Sequence, residues 1–171
     1  LLMMSKLSLS KKPHHLLQCL SIVLALLFAN TSMAIEAFTQ SSLQSMVKSH
    51  QGEPWLLVLW SIDCRPCYDE LSLIQSLHKQ YGQSISHAIE LVSTDDIERQ
   101  AEVFEVIQEF SLEKLSLWQF NDSDGRRLRY QIDPRWFGEL PKTFAYHENE
   151  SRQAHSGVLN IDFIKKHLDL Q

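Results

Sequence analysis

The chain has 171 residues, 44% apolar and 22% charged, with 16 basic against 21 acidic side chains and only three cysteines. That length and balance fit one globular domain plus a leader, and exclude a collagen-like, coiled-coil or disordered chain. The acidic excess argues against nucleic acid or anionic membrane surfaces as partners.

Residues 1–34 read as a segment apart. Lys6, Lys11 and Lys12 make a basic start, with no acidic residue before Glu36. An apolar run follows over 16–29, broken only by Gln18, Cys19 and Ser21, and then small Ser32 and Ala34 stand at signal-peptidase spacing. The run falls short of the ~20 residues of a membrane span. The pattern predicts a secretory signal peptide cleaved after Ala34, with an uncleaved N-terminal anchor as the alternative, and a periplasmic or secreted domain over 35–171. Cleavage removes the three lysines and Cys19. It leaves 13 basic against 21 acidic residues, a net charge of about −8, and two cysteines, Cys64 and Cys67.

The mature chain has no repeat or low-complexity stretch. Residues 38–50 read as a helix with Leu43, Met46 and Val47 on one face. The unbroken apolar run 55–60, after Pro54, is the pattern of a central strand buried on both faces. A helix is expected over 64–81, stopped by Gly82, with Cys67, Leu71, Ile74 and Leu77 or His78 along its apolar stripe. A strand at 87–92 precedes an amphipathic helix over 96–110, whose apolar side is Ile97, Ala101, Phe104, Ile107 and Phe110. Residues 115–120 make a third strand, and a short helix follows Asp124-Gly125 through Arg129 and Tyr130. A hairpin is expected between 143–146 and about 154–159, turned by the polar stretch 147–151, with a closing helix over 161–170. Alternating strands and helices early, then a hairpin and helix, predict an α/β sandwich around a mixed central sheet.

Cys64-Arg65-Pro66-Cys67 lies between the buried strand and a helix N-terminus. Unpaired N–H groups and the positive end of the helix dipole stabilise a thiolate there, and the thiolate is the species that attacks disulfides. The spacing puts Cys67 within reach of Cys64, and Pro66 stiffens the first turn where its missing N–H costs nothing. Two cysteines in so small a loop add little entropic stability, so a structural disulfide is a poor explanation. Zinc needs about four ligands, and neither a second Cys pair nor a suitably spaced His is present. Haem attachment would need His where Tyr68 stands. No metal or organic cofactor is required for the dithiol chemistry that remains.

Leu140-Pro141 stands 74 residues beyond Cys67, ahead of the late hairpin. With the CxxC-helix pattern it resembles the thioredoxin superfamily across essentially the whole mature chain. Within that superfamily the chain is most similar to the exported TlpA/ResA-like thiol–disulfide oxidoreductases. Residues 95–120 look like that group's central βα insertion, and Cys67-Tyr68-Asp69-Glu70 fits its CxxCxxE pattern. The resemblance implies Cys64 as nucleophile, Cys67 as resolving thiol, Glu70 as proton shuttle and Pro141 as a cis-proline lying against the pair. It also implies that Leu140 offers backbone hydrogen bonds to bound substrate. The implied partners are proteins bearing disulfides or thiols, with a membrane-embedded redox partner restoring the pair. Two departures stand out: Asp63 occupies the family's usual Trp position, and the group's N-terminal β-hairpin is not evident.

Arg65, Pro66 and Trp136, with Leu140, are the candidate substrate contacts, Trp136 and Phe137 forming an apolar docking rim or else core. Asp63 is either a helix N-cap or a carboxylate that raises the Cys64 thiol pKa, while Arg65 pushes the other way. The opposed charges leave the direction of electron flow open. Disulfide reduction is the first reading. Its alternatives are an oxidase or isomerase, and a thioredoxin-fold Cu(I)-binding or adaptor module, since Cu(I) accepts two thiolates.

Overall fold

The computed structural model describes residues 35–170, so the expected signal peptide lies outside the described residues. Among the described residues, six strands form one mixed sheet. In chain order these are β1 (Glu36–Phe38), β2 (Trp55–Trp60), β3 (Ile89–Ser93), β4 (Ser116–Phe120), β5 (Lys142–Tyr146) and β6 (Arg152–Ser156). The spatial order is β1-β4-β3-β2-β5-β6. The first four strands run parallel, while β5 and β6 run antiparallel to their neighbours. The helices are α1 (Ser42–Ser49), α2 (Arg65–Tyr81), α3 (Gln83–Ala88), α4 (Gln100–Glu109), α5 (Gly125–Ile132) and α6 (Ile161–His167), with a 3₁₀ turn over Ile97–Arg99.

All six side chains of β2 are buried, because both faces of the sheet are covered. Leu56, Val58 and Trp60 face a core completed by Leu71, Ile74 and Leu77 of α2, Val103 and Ile107 of α4, and Ile164 of α6. Trp55, Leu57 and Leu59 face the other core, with Met46 of α1 and Leu128 and Ile132 of α5. The result is the expected α/β sandwich. The α4–β4 unit is the expected insertion, and it adds a parallel strand between β1 and β3.

Several expectations shift. The helix foreseen over 38–50 begins only at Ser42, and residues 36–38 pair instead with β4 as an edge strand. Its partner lies some 80 residues away, so local periodicity carries no trace of it. The strand foreseen from His87 begins at Ile89, because α3 occupies 83–88. On α4 the buried positions are Val103 and Ile107, with Phe104 half-buried and Ala101 exposed. The 3₁₀ turn takes Ile97 out of the α-helical period, and within α4 the face that packs inward is centred on Val103 and Ile107. The outer hairpin strand runs over 152–156 rather than 154–159, and α6 stops at His167.

Gly82 ends α2 and starts α3 with φ 57° and ψ −122°, a region closed to side chains by backbone crowding. A Cβ there would meet nothing within 4 Å, so backbone strain alone is the cost of a substitution. Gly82→Ala is therefore expected to lower stability by about 1–3 kcal/mol, read by urea unfolding, with the disulfide chemistry unaltered.

Candidate active site

β2 delivers the chain to a turn, Ser61-Ile62-Asp63, that leads into α2. The parallel neighbour β3 ends at the same edge of the sheet, with Thr94 N–H donating to Trp60 O at 2.9 Å. Asp95, one residue further, is buried and holds the turn. Its Oδ1 accepts from Ser61 Oγ at 2.8 Å, and its Oδ2 accepts from Ile62 N–H at 3.0 Å and from Ser93 Oγ at 2.7 Å. Ser61 Oγ in turn accepts from Asp63 N–H at 3.2 Å, and Tyr68 Oη donates to Ile62 O at 3.2 Å.

Cys64 is the N-cap of α2, half-buried, and Cys67 is fully buried one turn on. The two are joined in a disulfide. This asymmetry leaves the first sulfur accessible and the second screened. Arg65 and Pro66 occupy the first helical positions, exposed at the rim of a shallow cleft bordered also by Ile62, Asp63, Tyr68 and Asp69.

Asp63 is not the cap expected of it. It lies one residue before Cys64, with its side chain 73% exposed, and its Oδ2 accepts from Arg99 Nη1 at 2.6 Å. The Arg99 hydrogen bond and charge hold its carboxyl below the ordinary aspartate range. Burial, with the carboxylates of Glu109, Asp63 and Asp95 nearby, pushes the Tyr68 phenol up.

Glu70 is fully buried on the inner face of α2. Its Oε2 accepts from Leu159 N–H at 2.8 Å and its Oε1 from Thr143 Oγ1 at 3.3 Å. Burial raises its carboxyl pKa, opposed by those two hydrogen bonds. The contacts tie α2 to β5 and to the chain between β6 and α6.

The Leu140–Pro141 peptide is cis. Leu59 pairs with Lys142, so residues 140–141 arrive at the edge of the sheet where β2 ends and the cysteine turn begins. Pro141 is buried, and Leu140 is half-buried, touching both cores. Trp136, placed among the substrate contacts, is instead a core side chain, 4% exposed, with Nε1–H donating to Glu139 O at 2.9 Å. The exposed aromatic of that loop is Phe137, at 91%. Asp95, Arg99 and Thr143 escaped sequence reasoning. The one signal for Asp95 was its place directly after a strand parallel to β2, hence at the same edge.

No protein-family model matches the chain, and no curated protein matches it in sequence. Its structure is similar to that of a thioredoxin-family thiol:disulfide interchange protein from Chlorobium tepidum, with 12% identity, a TM-score of 0.55, and 72% of this chain and 83% of that one covered. It is also similar to the exposed lipoprotein thioredoxin Etrx1 of Streptococcus pneumoniae, at 16% identity and a TM-score of 0.52, covering 73% and 90%. A secreted Mycobacterium tuberculosis disulfide oxidoreductase homologous to DsbE gives 16% identity and a TM-score of 0.51, covering 72% and 86%. The fold is that of thioredoxin.

A carboxyl raised in the folded protein but ordinary in the unfolded chain is protonated in both states at low pH, and contributes nothing there. As pH rises past the ordinary glutamate range the unfolded chain ionises first, and stability is lost up to the folded value. Gln at this position can accept from Leu159 N–H through Oε1 and donate from Nε2 to Thr143 Oγ1, so Glu70→Gln should be more stable than the native protein at neutral pH by on the order of 1 kcal/mol. The advantage should vanish below the ordinary glutamate range; urea unfolding at a series of pH values reads it.

Proposed function

We propose that this chain is an exported thiol–disulfide oxidoreductase that reduces protein disulfides through Cys64 and Cys67. The observation that carries the reading is the asymmetric cysteine pair, half-buried Cys64 and buried Cys67, at the N-terminus of α2 on the sheet edge that also receives Leu140–Pro141. The named activities of the fold's relatives support it, and two of them are described as secreted or exposed. No helix among the described residues is long and apolar enough to cross a membrane.

Cys64 thiolate attacks one sulfur of the substrate disulfide, and the other substrate sulfur leaves as a thiolate that takes up a proton. Cys67 gives its proton to the Glu70 carboxylate and attacks the Cys64 sulfur of the mixed disulfide. The second substrate thiolate leaves, and the protein is left as the Cys64–Cys67 disulfide. A dithiol donor, reached at the membrane, returns two electrons and two protons. Leu140 supplies backbone hydrogen bonds to the substrate strand, Pro141 shapes the surface it lies on, and Arg65 and Pro66 border it.

One observation favours the reverse flow as a second reading. Asp63, which would oppose a thiolate at Cys64, is held by Arg99, while Arg65 has no acidic partner among the described residues. Both effects favour the reduced, thiolate form and so a more oxidising pair.

Cys64→Ser is expected to lose thiol-driven insulin reduction to background. Cys67→Ser should accumulate a mixed disulfide with substrate, seen as an adduct on non-reducing gels. Equilibration of residues 35–171 with defined thiol buffers is expected to give a reduction potential nearer thioredoxin's, about −270 mV, than the roughly −120 mV of a strong oxidant.

A further inference from the structure

The residue beside a nucleophilic cysteine is a poor place for a carboxylate, because a negative charge one residue away disfavours the thiolate. Here that residue is Asp63. Arg99 meets it from the start of the α4–β4 insertion, Nη1 to Oδ2 at 2.6 Å. The same guanidinium is gripped from behind by Glu102, Nε to Oε1 at 3.2 Å and Nη2 to Oε2 at 2.9 Å, and Asp95 Oδ1 lies 3.7 Å from Nη1. A two-point hold of this kind fixes a guanidinium where a lone surface pair would leave it loose.

The surroundings make that one cation matter. The cleft between the cysteine turn and α4 is lined by Asp63, Glu102, Glu105 and Glu109, with Tyr68 and Arg99. On α2, Arg65 and Asp69 border the other side of the turn. Among the described residues, Arg99 is thus the only basic side chain lining the α4 side of a cleft with four carboxylates. Without it, Asp63 would present an unmasked charge to Cys64, backed by Glu102.

We propose that Arg99 is a positioning residue that masks the Asp63 carboxylate and so keeps Cys64 available as a thiolate at neutral pH. The insertion thereby sets the reactivity of a cysteine pair that lies outside it. The inference rests on the reading of Cys64 as the attacking thiol, and it concerns the reduced protein.

The test is the rate of iodoacetamide alkylation of Cys64 against pH, in the reduced full-length chain carrying Cys19→Ser, and with Cys67→Ser added to isolate the first thiol. Arg99→Gln should slow alkylation at neutral pH about threefold, the order of size of one exposed, screened charge, and move the profile to higher pH. Asp63→Asn alone should not slow alkylation, because it removes a negative charge and leaves the cation, and Asp63→Asn added to Arg99→Gln should restore the native rate. Arg99→Lys, which keeps the cation, should stay near native. The proposal is overturned if Arg99→Gln alkylates like the native protein, if it slows equally with and without the Asp63 carboxylate, or if Arg99→Lys is as slow as Arg99→Gln. Arg99 is one-third exposed and outside both cores, and a far-UV spectrum of each variant checks the fold. Insulin reduction by the native protein is scored separately: its absence would refute the oxidoreductase reading while the alkylation series still decides the role of Arg99.

Discussion

The buried carboxylate of Asp95 holds the turn on which the cysteine pair depends. A turn at the end of a strand has backbone and hydroxyl donors that the sheet does not satisfy. If they are to be both dry and ordered, something must accept from them. Asp95 accepts from Ser61, Ile62 and Ser93 at once, which fixes the path from β2 to α2 and the angle at which Cys64 enters the helix. The parallel pairing of β2 with β3 makes this possible, since only parallel neighbours finish at the same edge.

A second buried carboxylate plays the opposite part. Glu70 sits on the core side of α2 with two hydrogen-bond donors and, among the described residues, no cation bonded to it. Two donors soften the cost of ionisation without cancelling it, so the group is more readily protonated than a surface glutamate. Asp95 instead receives a third donor and has Arg99 at 3.7 Å. The same functional group is thus a scaffold at one position and a candidate proton acceptor at the other, according to what surrounds it.

The insertion links these themes. It adds β4 to the sheet, and the stretch before α4 supplies both Asp95, which holds the cysteine turn, and Arg99, which binds Asp63. On the far side of the site, the 133–141 loop buries Trp136 and leaves Phe137 in solvent.

The cysteine spacing, the buried run of β2, the helix after it, the late hairpin and the Leu140-Pro141 step were all legible in the sequence, because each is written in local periodicity or in a short motif. Helix stripes were legible only to within a rotation, as Ala101 and Val103 show. The edge strand β1, the partners of Glu70 and the identity of the outward aromatic were not, because each depends on segments far apart in the chain. Asp63 illustrates the division. Its position beside Cys64 is a fact of sequence, and it leaves two roles open, cap or charge. The structure gives the cap position to Cys64 and pairs the Asp63 carboxylate with Arg99, 36 residues away, brought to it by the parallel strands β2 and β3. A charge acts through distance in space, and only the tertiary structure sets that distance.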